Sequence, residues 1–204
     1  MSNGPSKYVL HVGCGVKKPG RLHSMFTSSE WNEVRLDINP MARPDLIASI
    51  TDMRIVATAS MDALYSSHNL EHLLPHEVTK ALGEFQRVLK PKGMALIAVP
   101  DLQAAAALIA QDKPDQAIYT SPLGPVTPMD ILYGHSKALE RGNLFMLHKT
   151  GFTASSLGKA LRISGFSKVE VTRDSGSVAL WAKAYVSDQT APSSPKVSSG
   201  PFGN

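Results

Sequence analysis

The stretch LHVGCGVKKPG, residues 10–20, decides how the chain is read. A short β-rich run, residues 8–12, ends at two glycines, Gly13 and Gly15. Glycine accepts positive φ and leaves no Cβ in the way of an approaching group. In an open α/β sheet, ligands sit beyond the carboxyl ends of the strands, where the strand order reverses. The next strand candidate, EVRLD at 33–37, ends on an acid, and Asp37 lies 24 residues after Gly13. A carboxylate at that place can accept both hydroxyls of a ribose. Together these features predict a nucleoside site. A dinucleotide site wants G-x-G-x-x-G at the opening of a helix. Here Lys18 holds the sixth position, Pro19 and Gly20 follow, and no helical pattern begins at Gly15. A nicotinamide-dependent oxidoreductase is therefore the less well matched alternative.

Outward from this loop, strand and helix signals alternate. Further strand candidates lie at 45–47, 61–66, 94–99, 168–172 and 178–186. Residues 74–89 place Val78, Leu82, Phe85 and Leu89 on one 3.6-period stripe, with Pro75 suited to a first helical turn. KPKG at 90–93 reads as a stop and turn, and MALIAV at 94–99 as a strand covered on both faces. A second helix is expected at 153–163. Alternation of this kind predicts a mostly parallel α/β sheet. Only 174–177 separates the last two strands, which permits a hairpin but no parallel crossover, so the final pair should be antiparallel.

The chain has 204 residues, 43% hydrophobic and 19% charged, which fits one globular domain. The longest apolar stretch, 102–110, is far shorter than the roughly 18 residues of a membrane span. The first residues lack the apolar run of a secretory signal, and Cys14 is the single cysteine, so a cytoplasmic protein without disulfides is expected. The net charge of +4 is scattered and aromatics are 6%, so no nucleic-acid partner is expected. Residues 1–187 are read as the domain. Residues 111–149, with four prolines, are read as a lid or substrate-binding insertion. Residues 188–204, nine of them Ser, Pro or Gly, are read as a disordered tail.

LHVGCG, RLDINP (35–40), SITDM (49–53), MDALYSSHNLEHL (61–73) and EFQRVLKPKGMALIAVPDL (84–102) together resemble class I S-adenosylmethionine-dependent methyltransferases, most of all their type 11 branch. MDILYG (129–134), LHKTGFT (147–153) and LRISGF (161–166) are similar to later parts of that branch. The resemblance implies a Rossmann-like, doubly wound seven-stranded sheet and S-adenosylmethionine as cofactor. It implies that Gly13, Cys14 and Gly15 pass the methionine part, that Asp37 holds the ribose, and that Ile38 lies on the adenine. Asp52 and the Met53 backbone would meet the adenine edge. Ser67, His68 and Asn69 would line the transferable methyl. The chain departs from the family in having His11 where an acid is common, no third glycine and a short or absent first helix. These departures support an alternative, a methyltransferase-fold binding module without turnover.

Methyl transfer from a sulfonium needs alignment above all, which can supply about 7–11 kcal/mol of barrier reduction. A general base is needed only when the acceptor, a small molecule with a nucleophilic O or N, must lose a proton. His148 and His135 are the candidates for that base, with Tyr133 and Glu71 as substrate-facing groups and Arg141 or Lys149 as partners for an anionic acceptor. HNLEH at 68–72 matches H-x-x-E-H, a zinc-protease pattern that needs both histidines on one continuous helix. The motif directly follows a strand and Pro75 interrupts what comes next, so no metal is expected.

Overall fold

The structure, a computed structural model, describes residues 7–174 and 176–188. Apart from Asp188, the expected tail at 188–204 lies outside the described residues, as do residues 1–6.

Seven strands form one sheet: β1 (Lys7–Val12), β2 (Trp31–Asp37), β3 (Leu46–Ile47), β4 (Met61–Ser67), β5 (Leu89–Pro100), β8 (Lys168–Asp174) and β9 (Ala179–Tyr185). A separate small hairpin joins β6 (Tyr119–Ser121) to β7 (Gly124–Val126). The sheet order is β3-β2-β1-β4-β5-β9-β8, parallel except for β9, which runs antiparallel to both neighbours. The chain winds outward from β1 to β3 and then returns to the far side of β1 with β4. The order therefore reverses between β1 and β4, and a crevice opens beyond their carboxyl ends.

KPKG at 90–93 does not stop β5 as expected. It forms an irregularity within the strand, where the β4–β5 register shifts between Met61 and Ala63 and Lys92 takes a φ of 64°. Helix α1 (Pro75–Val88) ends just before it. The Glu77 carboxylate accepts the Leu74 N–H at the helix start, 2.8 Å away. Val78, Leu82 and Phe85 of α1 and Leu157 and Leu161 of α5 (Ala154–Ile163) pack on Leu10, Val12, Leu64 and Ile97 of the sheet. The apolar run at 102–110 is accounted for by α2 (Leu102–Ile109), whose first N–H groups are capped by the buried Asp101 carboxylate. Residues 111–149 are not irregular throughout. They hold the hairpin, α3 (Pro128–Tyr133) and α4 (Ser136–Glu140), and Val126 and Ile131 pack with Ala105 of α2.

No helix follows β1 directly. The sheet face opposite α1 is covered by the segment leading to β2, where Phe26 packs with Val9, Tyr65 and Leu96, flanked by Trp31 and Trp181. On this face His11 is 3% exposed and its Nδ1 lies 2.6 Å from Glu33 Oε1. Burial pulls the His11 pKa below its ordinary value, outweighing the upward pull of Glu33, while Arg21 and Arg35 add to the fall. The folded protein thus holds a neutral His11 that donates to Glu33, with Tyr65 beside it. An imidazole whose folded pKa is depressed contributes stability that is present above the unfolded value of 6.5 and is lost as the pH drops below it. Unfolding free energy from urea titrations should therefore fall more steeply with acidification in the parent protein than in His11→Gln. Equal slopes would assign the acid sensitivity to other groups, such as His23 and His148, which burial also depresses.

Candidate active site

A cavity of about 560 Å³ occupies the crevice between the carboxyl ends of β1 and β4. Three strand ends supply its floor: Gly13 and Gly15 after β1, Asp37 to Asn39 at and after β2, and Ser67 to Asn69 at and after β4. Residues 48–51 form one wall, and His72, Leu73 and Glu77 stand behind them. Residues 143–146 and Lys149, from the insertion, form the opposing rim.

The glycine loop is held from two sides. The Gly15 N–H donates to Asp37 Oδ2 and the Asn39 N–H to Asp37 Oδ1, each at 2.8 Å. The buried Arg35 guanidinium donates to the carbonyls of Gly15, Ala42 and Arg43, tying the loop to the turn after β2. Gly13 and Gly15 both have φ of 58°, the left-handed region that favours glycine. The Cβ position at Gly13 is not open to a ligand, however. A methyl there would fall 1.8 Å from Asn69 Oδ1. The Asn69 amide fills that space and donates to the Val12 carbonyl at 3.0 Å and to Ser66 Oγ at 3.1 Å.

Several of the residues singled out from the sequence meet here and several do not. Gly13, Gly15, Asp37, Ile38, Ser67, His68 and Asn69 all line the cavity. Cys14 faces the other way, into a second cleft with His11, Tyr65 and Trp181. Burial pushes its thiol up to about 11, so it stays protonated and unreactive at neutral pH. Asp52 is turned outward to the Arg54 guanidinium, at 2.8 and 2.7 Å. Met53 is fully buried, and its N–H is taken by Glu84 at 2.6 Å. The wall is made by Ser49, Ile50 and Thr51 instead. The sequence misses this because SITDM is a tight turn, bridged from Ser49 to Asp52, whose facing is set by Glu84 and Arg87 of α1.

Of the candidate bases, His135 contacts Ser121 Oγ at 3.1 Å and does not line the cavity, nor does the exposed Tyr133. His148 is brought next to the site. Its Nδ1 is 2.8 Å from the Ile131 carbonyl, its ring centroid is 5.0 Å from that of His72, and burial lowers its pKa. The Lys149 and Thr150 N–H groups donate to the Glu71 carbonyl, which fixes this segment against the turn after β4. Glu71 itself is 1% exposed. Burial raises its pKa, but the adjacent His68 and His72 imidazoles outweigh this and hold it below its ordinary value. Asn143, Leu144, Phe145 and Met146 also line the cavity, and nothing in their local pattern shows that the insertion folds back over the strand ends.

Residues 10–97 match the family model described as a methyltransferase domain, and the glycine loop, Asp37 and the β4 end all fall within that match. Over that stretch the chain is similar to methyltransferase domains. Among solved structures, it is similar to the Burkholderia thailandensis 1,6-didemethyltoxoflavin-N1-methyltransferase, with 18% identity and a TM-score of 0.56 over 89% of this chain and 72% of that one. It is also similar to a Methanosarcina mazei S-adenosylmethionine-dependent methyltransferase, with 16% identity and a TM-score of 0.60 over 91% and 94% of the two chains. An Archaeoglobus fulgidus S-adenosylmethionine-dependent methyltransferase gives 13% identity and a TM-score of 0.57 over 88% and 86%. At these identities the structural likeness concerns the fold. A search of curated proteins found no match. Among the described residues, no helix is long and apolar enough to cross a membrane.

Proposed function

We propose that the methyltransferase binds S-adenosylmethionine in the cavity at the strand-order reversal and moves its methyl group to an O or N atom of a small-molecule acceptor. The observation that carries this reading is the meeting of Asp37, the glycine loop and Ser67–Asn69 around one cavity of cofactor size. Asp37 accepts the ribose hydroxyls with the lone pairs left free by Gly15 and Asn39. Ile38, 55% exposed at the mouth, covers one adenine face, and residues 49–51 border its edge. Ser67 and His68 lie where the sulfonium methyl points. Residues 1–187 act as one unit, with 111–149 as its acceptor-binding part. The exposed Leu144 and Phe145 give that rim an apolar surface, and Lys149 adds a cation.

The chemistry is an in-line displacement. The acceptor atom attacks the methyl carbon, the S–CH3 bond breaks, and its electron pair returns to sulfur to give S-adenosylhomocysteine. The protein's task is to hold acceptor, methyl and sulfur in line. The Burkholderia protein, solved with 1,6-didemethyltoxoflavin and S-adenosylhomocysteine, supports an acceptor of small-molecule size. The test is release of S-adenosylhomocysteine when the protein is given S-adenosylmethionine and a panel of phenols, hydroxy acids and heteroaromatic amines. Acceptor-dependent release is expected. Firm cofactor binding with no release across the panel would favour a binding module.

A further inference from the structure

We propose that Glu71, His72 and His148 form a divalent metal site at the wall of the cofactor cavity, and that the acceptor carries an oxygen able to join the ion. The three side chains each offer a ligand atom within 4.8 Å of the others. They do so from two segments far apart in sequence, so this is not the H-x-x-E-H pattern of 68–72, which pairs His68 with His72. The turn after β4 is a single 3-10 turn over Leu70–His72, and it presents Glu71 and His72 to the chain at 147–150.

Three details suit metal binding. First, the buried Glu71 carboxylate is paired on one side only: His68 Nδ1 stands 3.2 Å from Oε1, and Oε2 has no hydrogen-bond partner among the described residues. A buried carboxylate is costly unless paired or bound to a metal. Second, His72 Nδ1 faces the Leu147 carbonyl at 3.1 Å and His148 Nδ1 faces the Ile131 carbonyl at 2.8 Å. Each imidazole therefore carries its proton on Nδ1 and leaves the Nε2 lone pair free. That outer hydrogen bond is the usual support of a metal-binding histidine. Third, two histidines and one carboxylate form a zinc-type donor set with an open fourth position. Ligands about 2.1 Å from a tetrahedral ion lie about 3.4 Å apart, so the cluster must close by up to about 1.4 Å, within the reach of side-chain rotation.

His72 also lines the cofactor cavity, and in this proposal an acceptor oxygen reaches the open position from that side. This half of the proposal rests on the methyl-transfer reading. An acceptor hydroxyl on the ion loses its proton to water more easily. Its oxygen then forms the O–CH3 bond as the S–CH3 bond breaks and the electron pair goes to sulfur. A dedicated base is then unnecessary, and His148 acts as a ligand.

The test uses the full chain, stripped with chelator and titrated with Co²⁺, with Zn²⁺ as competitor. One saturable site with the visible absorption of four-coordinate Co²⁺ is expected, and Zn²⁺ should bleach it. His72→Ala and His148→Ala should each weaken uptake at least 10-fold, while His76→Ala on the exposed start of α1 should not. Catechol, added to the loaded protein as an oxygen-donor probe, should shift the spectrum. S-adenosylhomocysteine titrations of the stripped protein run alongside, because the cofactor reading does not depend on the ion. No saturable uptake, or uptake unaffected by both histidine changes, overturns the site even if the cofactor binds. A spectrum unmoved by catechol overturns the acceptor half.

Discussion

Replacing Asp37 with alanine is expected to weaken S-adenosylhomocysteine binding by about 1.5–3 kcal/mol, or roughly 10- to 150-fold, the scale of hydrogen bonds to a charged acceptor. The reason is positional. Asp37 is the last residue of β2, next to the strand that ends in the glycine loop, and both of its oxygens already orient backbone N–H groups of the cavity floor. It therefore needs no rearrangement to receive a ribose. Alanine also strands the Gly15 and Asn39 N–H groups, so some loss of stability should accompany the loss of affinity. Asp37→Asn keeps one acceptor oxygen and turns an NH2 toward the other N–H group, so both affinity and stability should fall between those of the parent and Asp37→Ala, read by calorimetry and urea unfolding on the same samples. Unchanged affinity in Asp37→Ala would remove the carboxylate from the ribose.

Gly13→Ala should cost about 2–4 kcal/mol of folding stability. A left-handed backbone at a non-glycine residue costs about 1–3 kcal/mol. The new methyl would also overlap Asn69 Oδ1, at 1.8 Å, and expel the amide that bonds Val12 and Ser66. Losing such hydrogen bonds adds about 1 kcal/mol. The clash and the strain are separable. In the Asn69→Ala background, Gly13→Ala should cost less, because only the backbone term remains. Urea unfolding of the four-member cycle measures the difference. Equal costs in both backgrounds would mean that Asn69 does not pack against Gly13.

Local pattern carried the β1 loop, Asp37 and the order of strands, because each is written in a short stretch: a strand that ends on glycine, a strand that ends on an acid, and an interstrand link too short for a crossover. At residues 90–93 the composition alone does not distinguish a turn that ends a strand from the Lys-Pro-Lys-Gly irregularity within β5. The facing of Asp52 and Met53 has no local signal, because it depends on Glu84 and Arg87, one helix away. Lys149, Glu71 and His148 stand out singly in the sequence, but the place of Met146 and Lys149 at the rim and the meeting of Glu71, His72 and His148 have no local signal. They arise only when the insertion folds back over β4 and the Lys149 N–H meets the Glu71 carbonyl at 2.8 Å. Gly13 shows the reverse case, a glycine whose position in the loop was legible but whose freed space serves Asn69.

The central claim is that the crevice between β1 and β4 holds a single S-adenosyl cofactor. Titration calorimetry of the unaltered protein with S-adenosylhomocysteine tests it most directly. Saturable one-to-one binding that NAD does not displace is the predicted result. Absence of any binding heat at high protein concentration, or binding of NAD in place of S-adenosylhomocysteine, would contradict it.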